Sequence, residues 1–129
     1  MIMRIFKNKI FNKYARKQNI TDDELCKAVA EIESGLIDAD YGGSLFKKRI
    51  AKEGEGKSGG HRSILAYVKS DKTFFMYGFE KSSRDNIKEN EKRDYKKLAK
   101  MYIALDDAQL ALAKNENILF EVMCDEENV

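Results

Sequence analysis

Residues Arg62 to Phe79 read RSILAYVKSDKTFFMYGF. Two apolar runs, Ile64 to Val68 and Phe74 to Phe79, flank Ser70-Asp71-Lys72, a tight polar turn, which is the signature of a β-hairpin. Neither run alternates as a strand with one wet face would, so both strands, Arg62 to Lys69 and Thr73 to Phe79, are expected at the centre of a sheet. Upstream, Gly42-Gly43 breaks the chain. Ser44 to Lys52 then reads as a strand, apolar at Leu45, Phe46 and Ile50 and cationic at Lys47, Lys48 and Arg49. Glu53 to Gly60 reads as a glycine-rich loop joining it to the central hairpin. Further out, Thr21-Asp22-Asp23-Glu24 is a capping box, Leu25, Val29, Ile32 and Leu36 follow at helical spacing, and Gly35 suits a left-handed stop. Met1 to Ile5 is expected as a short strand. Phe6 to Lys17 is expected as a helix with Phe6, Ile10, Phe11 and Tyr14 on one stripe. Downstream, Glu89 to Leu105 carries an apolar stripe at Tyr95, Leu98, Ala99, Tyr102 and Leu105. Asp106 to Gln109 forms a second capping pattern that opens a short helix to about Lys114, and Ile118 to Met123 reads as a last strand. The order β-α-α-β-β-β-α-α-β defines an α+β fold: a small antiparallel-dominated sheet with helices mainly on one face, in a single domain over residues 1–129.

The composition agrees with one folded domain. Of 129 residues, 43% are hydrophobic, which excludes a wholly disordered chain, and 36% are charged, so the surface is strongly ionic. No apolar run approaches the length of a membrane span, and the N-terminal stretch lacks the core of a signal peptide, so no membrane partner is expected. Cys26 and Cys124 could make at most one disulfide; the expectation is two reduced thiols in a cytoplasmic protein. One histidine, with no C-x-x-C, offers no metal-ligand set, and no cofactor is expected. The net charge of +2 conceals blocks. Residues 1–20 hold six bases and no acid, residues 47–62 six bases and two acids, and residues 81–100 eight bases and four acids, alternating with acidic segments. Solvated faces would give such clumping. So would a basic cleft assembled from distant segments against a polyanion.

The stretch Ala51 to Ser58 fits a relaxed phosphate-loop pattern, with Ala in place of the first Gly. That chemistry needs a helix directly after Lys57-Ser58, to bring its amides onto the phosphates. Here Gly59-Gly60 and a strand follow instead, so a hairpin is expected rather than a nucleotide site. The hairpin would place Lys47, Arg49 and Arg62 on neighbouring strands, with Lys48 pointing away from Lys47 and Arg49.

Taken together, G-G-S-L-F-K-K-R-I-A (Gly42 to Ala51), G-K-S-G-G-H-R (Gly56 to Arg62), F-M-Y-G-F-E-K (Phe75 to Lys81) and D-N-I (Asp85 to Ile87) resemble the RelE/ParE toxin superfamily, in particular its HigB-like RelE branch. The resemblance runs over about residues 5–122. It implies the toxin of a type II toxin–antitoxin pair, a ribosome-dependent mRNA endonuclease that works without metal. Its partners would be the ribosome, mRNA and a cognate acidic helix-turn-helix antitoxin. RNA cleavage by transesterification requires an activated 2′-hydroxyl, a stabilised phosphorane and a protonated leaving oxygen. A histidine pair is unavailable here, whereas the RelE type uses Lys and Arg. By position the resemblance assigns Lys47, Arg49, Arg62 and Arg84 to catalysis and Lys48, Lys57, His61 and Lys81 to substrate binding. The stacking tyrosine of some members falls at Lys88 here, and a second arginine falls at Ser82, leaving Arg84 as its substitute. A non-cutting RNA-binding relic and a ParE-like gyrase poison remain the alternatives.

Overall fold

The computed structural model describes residues 3–52 and 56–125, except for the side chains of 52 and 56–59. Its elements in chain order are β1 (Arg4–Asn8), α1 (Lys9–Lys17), α2 (Asp22–Glu33), β2 (Ala39–Gly42), β3 (Leu45–Lys52), β4 (Gly56–Val68), β5 (Lys72–Glu80), α3 (Glu89–Ile103), α4 (Asp107–Asn115) and β6 (Leu119–Val122). The strands form one sheet in the order β2-β3-β4-β5-β1-β6. Only the β1–β5 pairing is parallel. The α+β class and antiparallel-dominated sheet are as read from the sequence.

The helices divide between the two faces. Ile5, Leu65 and Phe75 pack with Phe11, Leu25 and Val29 under α1 and α2. Their neighbours Phe6, Ile64 and Phe74 pack with Ala99 and Leu110 under α3 and α4. Adjacent strand residues point to opposite faces, so two cores lie back to back. The continuous apolar runs of β4 and β5 are what such double burial requires.

Several boundaries differ from expectation for local reasons. The first helix starts later than Phe6, because Asn8 caps it, accepting a hydrogen bond from the Phe11 amide at 2.8 Å. Phe6 is therefore a strand residue of the second core, and Ile10 is 59% exposed. Strand β2 was not expected. It is four residues long, too short for its alternation to stand out in the sequence, and is held by its pairing with β3. The glycine-rich stretch read as a loop is largely strand: β4 already starts at Gly56, opposite Lys52, so the ladder with β3 outweighs the weak strand preference of glycine. Glu53 to Glu55 lie outside the described residues. Both capping boxes form as read: Thr21 with Glu24, and Asp106 with Gln109.

The expectation of two free thiols is corrected: Cys26 and Cys124 are joined in a disulfide, their Cα atoms 5.8 Å apart and 98 residues apart in sequence. The buried side of α2 meets the segment after β6, where the Met123 amide donates to Asp22 Oδ2 at 3.0 Å. The cysteines therefore no longer argue for a reducing compartment. No helix among the described residues is long and apolar enough to cross a membrane.

Candidate functional site

On the face covered by α3, the basic strand and the central hairpin bring three expected cations together. Arg49 of β3 stands directly opposite Arg62 of β4, and Lys47 opposite Ile64. Residues two apart in a strand share a face, so Lys47, Arg49 and Arg62 all project to the α3 side. Arg49 is exposed and its Nε lies 3.5 Å from Asp38 Oδ1. Arg62 is only 4% exposed, and its Nη1 donates to the Gly60 carbonyl at 3.2 Å. Among the described residues no carboxylate pairs with the Arg62 guanidinium. A buried cation without a carboxylate is energetically costly, so the spot favours an incoming anion.

A bulge in β5 supplies the aromatic side of this face. Ile64 pairs with Tyr77 and Leu65 with Phe75, leaving Met76 as an extra residue. Without it, Gly78 would face α3. With it, Tyr77 and Phe79 do, and Phe79 lies opposite Arg62. Tyr77 stacks on Tyr95 of α3 with ring centroids 5.8 Å apart, and Phe79 lies 5.7 Å from Tyr77. Tyr41 of β2 holds Lys92 over its ring at 4.6 Å and donates to Asn86 Oδ1. The resemblance had suggested that the site lacks a tyrosine. The fold supplies these rings from other elements, and only the F-M-Y-G-F pattern of β5 hinted at them.

Arg84 reaches the same face, but in a saturated arrangement. Its guanidinium sits over Tyr77 and Phe79 and donates to Glu91 at 2.5 and 3.1 Å, to Tyr77 Oη at 3.3 Å and to the Asn86 carbonyl at 3.0 Å. Sequence reasoning did not find Glu91. The Arg84 hydrogen bonds hold its carboxyl down to about 2. Its contribution to stability is therefore present above the ordinary carboxylate range and is lost as pH falls from about 4.5 toward 2. The pair is only half-buried, and solvent screening keeps that contribution to about 1 kcal/mol or less. A carbon-13 carboxyl titration should find Glu91 still ionised at pH 3 in the parent. In Arg84→Ala its midpoint should rise toward the ordinary range without fully reaching it, because the Lys88 amide still donates to Glu91 Oε1 at 2.8 Å, and an unmoved midpoint would refute the pairing.

Two expected substrate-binding residues lie on the opposite face. Lys48 is buried against α2, its Nζ 2.8 Å from Glu31 Oε1 and 3.0 Å from the Leu36 carbonyl. His61 is buried beneath α1, where Tyr14 Oη meets its Nδ1 at 2.5 Å. Strand alternation puts both on the far side from Arg62, so neither is part of the cluster. Lys81 is exposed just beyond β5, and the side chain of Lys57 lies outside the described residues.

The face therefore offers fixed positive charge beside aromatic rings. Burial pushes the Tyr95 phenol up to about 12 and raises that of Tyr41, so both remain protonated near neutral pH, and Tyr41 donates to Asn86 Oδ1. Such a surface suits a phosphodiester flanked by bases.

The chain is thus a small, mostly antiparallel sheet with cations and aromatic rings gathered on its α3 face. Residues 3–122 match the RelE toxin of the RelE/RelB toxin–antitoxin system, and the chain belongs to that family. It is thus the toxin member of a toxin–antitoxin pair, with an antitoxin as partner. No curated protein sequence matches it.

Proposed function

We infer that this toxin is a metal-independent, ribosome-dependent mRNA endonuclease. The observation that carries the reading is Arg62, buried opposite Arg49 with no carboxylate on its guanidinium among the described residues. In the proposed step the 2′-hydroxyl of one nucleotide gives its proton to water as its oxygen attacks its own 3′-phosphorus, and the 5′-oxygen of the next leaves and takes a proton from water, giving a cyclic phosphate and a 5′-hydroxyl. Arg49 and Arg62 hold the phosphorane oxygens, and Lys47 lies on the same face to neutralise charge. Arg84 is fully engaged by Glu91, which suits it to holding Tyr77 and Phe79 in place beside the cluster rather than to contacting phosphate. Lys81 is exposed where flanking phosphates could pass.

The one histidine of the sequence, His61, is on the other side of the sheet, against Tyr14. Fixed charge must then be joined by an external device that aligns the 2′-oxygen with the phosphorus, because alignment is worth several kcal/mol. A ribosome holding the message in its decoding site would supply it. Induced expression should arrest growth and cut messages only where they are translated. Primer extension on one message with and without its start codon checks this, and equal cutting of both would remove the ribosome from the mechanism. Growth arrest with uncut messages and broken chromosomal DNA would favour the gyrase-poison alternative.

A further inference from the structure

A groove of about 590 Å³ runs between the C-terminal half of α3 and the β2–β3 turn, lined by Gly43, Ser44, Lys96, Lys97, Lys100 and Ile103. Its walls are mostly carbon, as expected where long lysine side chains line a groove with their stems, and the Lys96 stem lies over Gly43. Gly43 has φ of +62° and leaves room for the Lys96 stem, whose Cγ would lie 3.6 Å from any Cβ placed there. None of the three lysines makes an ion pair among the described residues. Met101, one helical turn beyond Lys97 on the same helix, is 65% exposed.

We propose that this groove is where the antitoxin anchors, through an acidic amphipathic segment that lays apolar side chains along the groove and its carboxylates on Lys96, Lys97 and Lys100. The proposal rests on the toxin–antitoxin reading and adds the place of contact. The charge of the rim selects the occupant: a second copy of this chain would bring like charges together, and an acidic segment would not. RNA is the poorer fit, since among the described residues no aromatic ring lines the groove for a base to stack on. The anchor is also separate from the cationic cluster. It opens beside Leu45, and Arg49 lies four residues, or roughly 13 Å, further along β3.

The test uses the full chain and the protein encoded beside its gene. Lys97→Glu/Lys100→Glu should bind that protein about tenfold or more weakly by calorimetry, while arresting growth as the parent does when expressed alone. Lys97→Arg/Lys100→Arg should bind as the parent does. Met101→Gln, which leaves the rim charge in place, should also weaken binding. Unchanged antitoxin affinity in the charge-reversed variant overturns the proposal. Unchanged antitoxin affinity with lost growth arrest and weaker binding of a short single-stranded RNA would also overturn it, and would make the groove an RNA surface. If the parent itself neither binds nor is neutralised by the neighbouring protein, the pairing of the two genes falls, and that failure is visible before any variant is made.

Discussion

Replacing Arg62 by alanine is expected to abolish growth arrest, lowering the rate of message cleavage by about a hundredfold, or about 3 kcal/mol of transition-state stabilisation. Arg62→Lys should recover only part, because an ammonium cannot make the paired planar contacts of a guanidinium with two phosphate oxygens. Stability should move differently. Arg62 is buried opposite another arginine, with no carboxylate on it among the described residues, so its charge is a liability to the fold. Arg62→Met keeps most of the volume and removes the charge. It should therefore melt at or above the parent temperature while being as inactive as the alanine variant. Lys69→Ala, in the exposed turn after β4, is the control and should remain toxic. Antitoxin binding should survive all these changes. A toxic Arg62→Met at equal protein level would show that the site lies elsewhere, and an inactive variant that melts far below the parent would show that Arg62 serves the fold instead.

Gly78→Ala should be among the most destabilising of small substitutions. A methyl group there would stand 2.3 Å from Tyr14 Cδ2 and 2.5 Å from Cε2. The Tyr14 ring has little freedom to retreat: its hydroxyl meets His61, it lies edge-on to the His61 ring, and it tilts against Phe11 in the core. Overpacking of this kind typically costs up to about 3 kcal/mol. Urea unfolding should show a large fall in midpoint. Combining it with Tyr14→Ala should cost clearly less than the sum of the two single changes, because the clash is then absent. Strict additivity would mean that the strand shifts rather than the ring, and a midpoint close to the parent's would refute the contact.

Much of the architecture was legible because it rests on local chemistry. Thr21 with Glu24 and Asp106 with Gln109 announce helix starts through side chains three residues apart. The Ser70-Asp71-Lys72 turn announces the central hairpin, and that hairpin already implied burial on both faces. What was missed depends on distant partners. Strand β2 has four residues and exists through Phe46 and Lys47 across the ladder. Asn8 could have been read as a cap, but Phe6 looked helical because its core lies under α3, far along the chain. The Cys26–Cys124 bond spans 98 residues and leaves no trace in spacing. Within the site, the hairpin pointed to Arg49 beside Arg62, and alternation already turned Lys48 away. The same alternation applies to His61. The Arg84–Glu91 pair and the phase change at Met76 were not legible, since one depends on the path of the chain between β5 and α3 and the other on a single unpaired residue.

The position of β1 has a consequence for how the molecule comes into being. The first of these six strands to be synthesised is an interior strand, waiting on one side for Lys72 to Phe75 and on the other for Leu119 to Val122. The β3–β4–β5 meander can form early from neighbouring segments, whereas Ile5 and Phe6 must stay unpaired while most of the chain is translated. Closing such long loops slows folding. Arg49 and Arg62 can thus be paired on a hairpin well before α3 exists to complete their face, so assembly of the cationic cluster precedes its enclosure during vectorial synthesis.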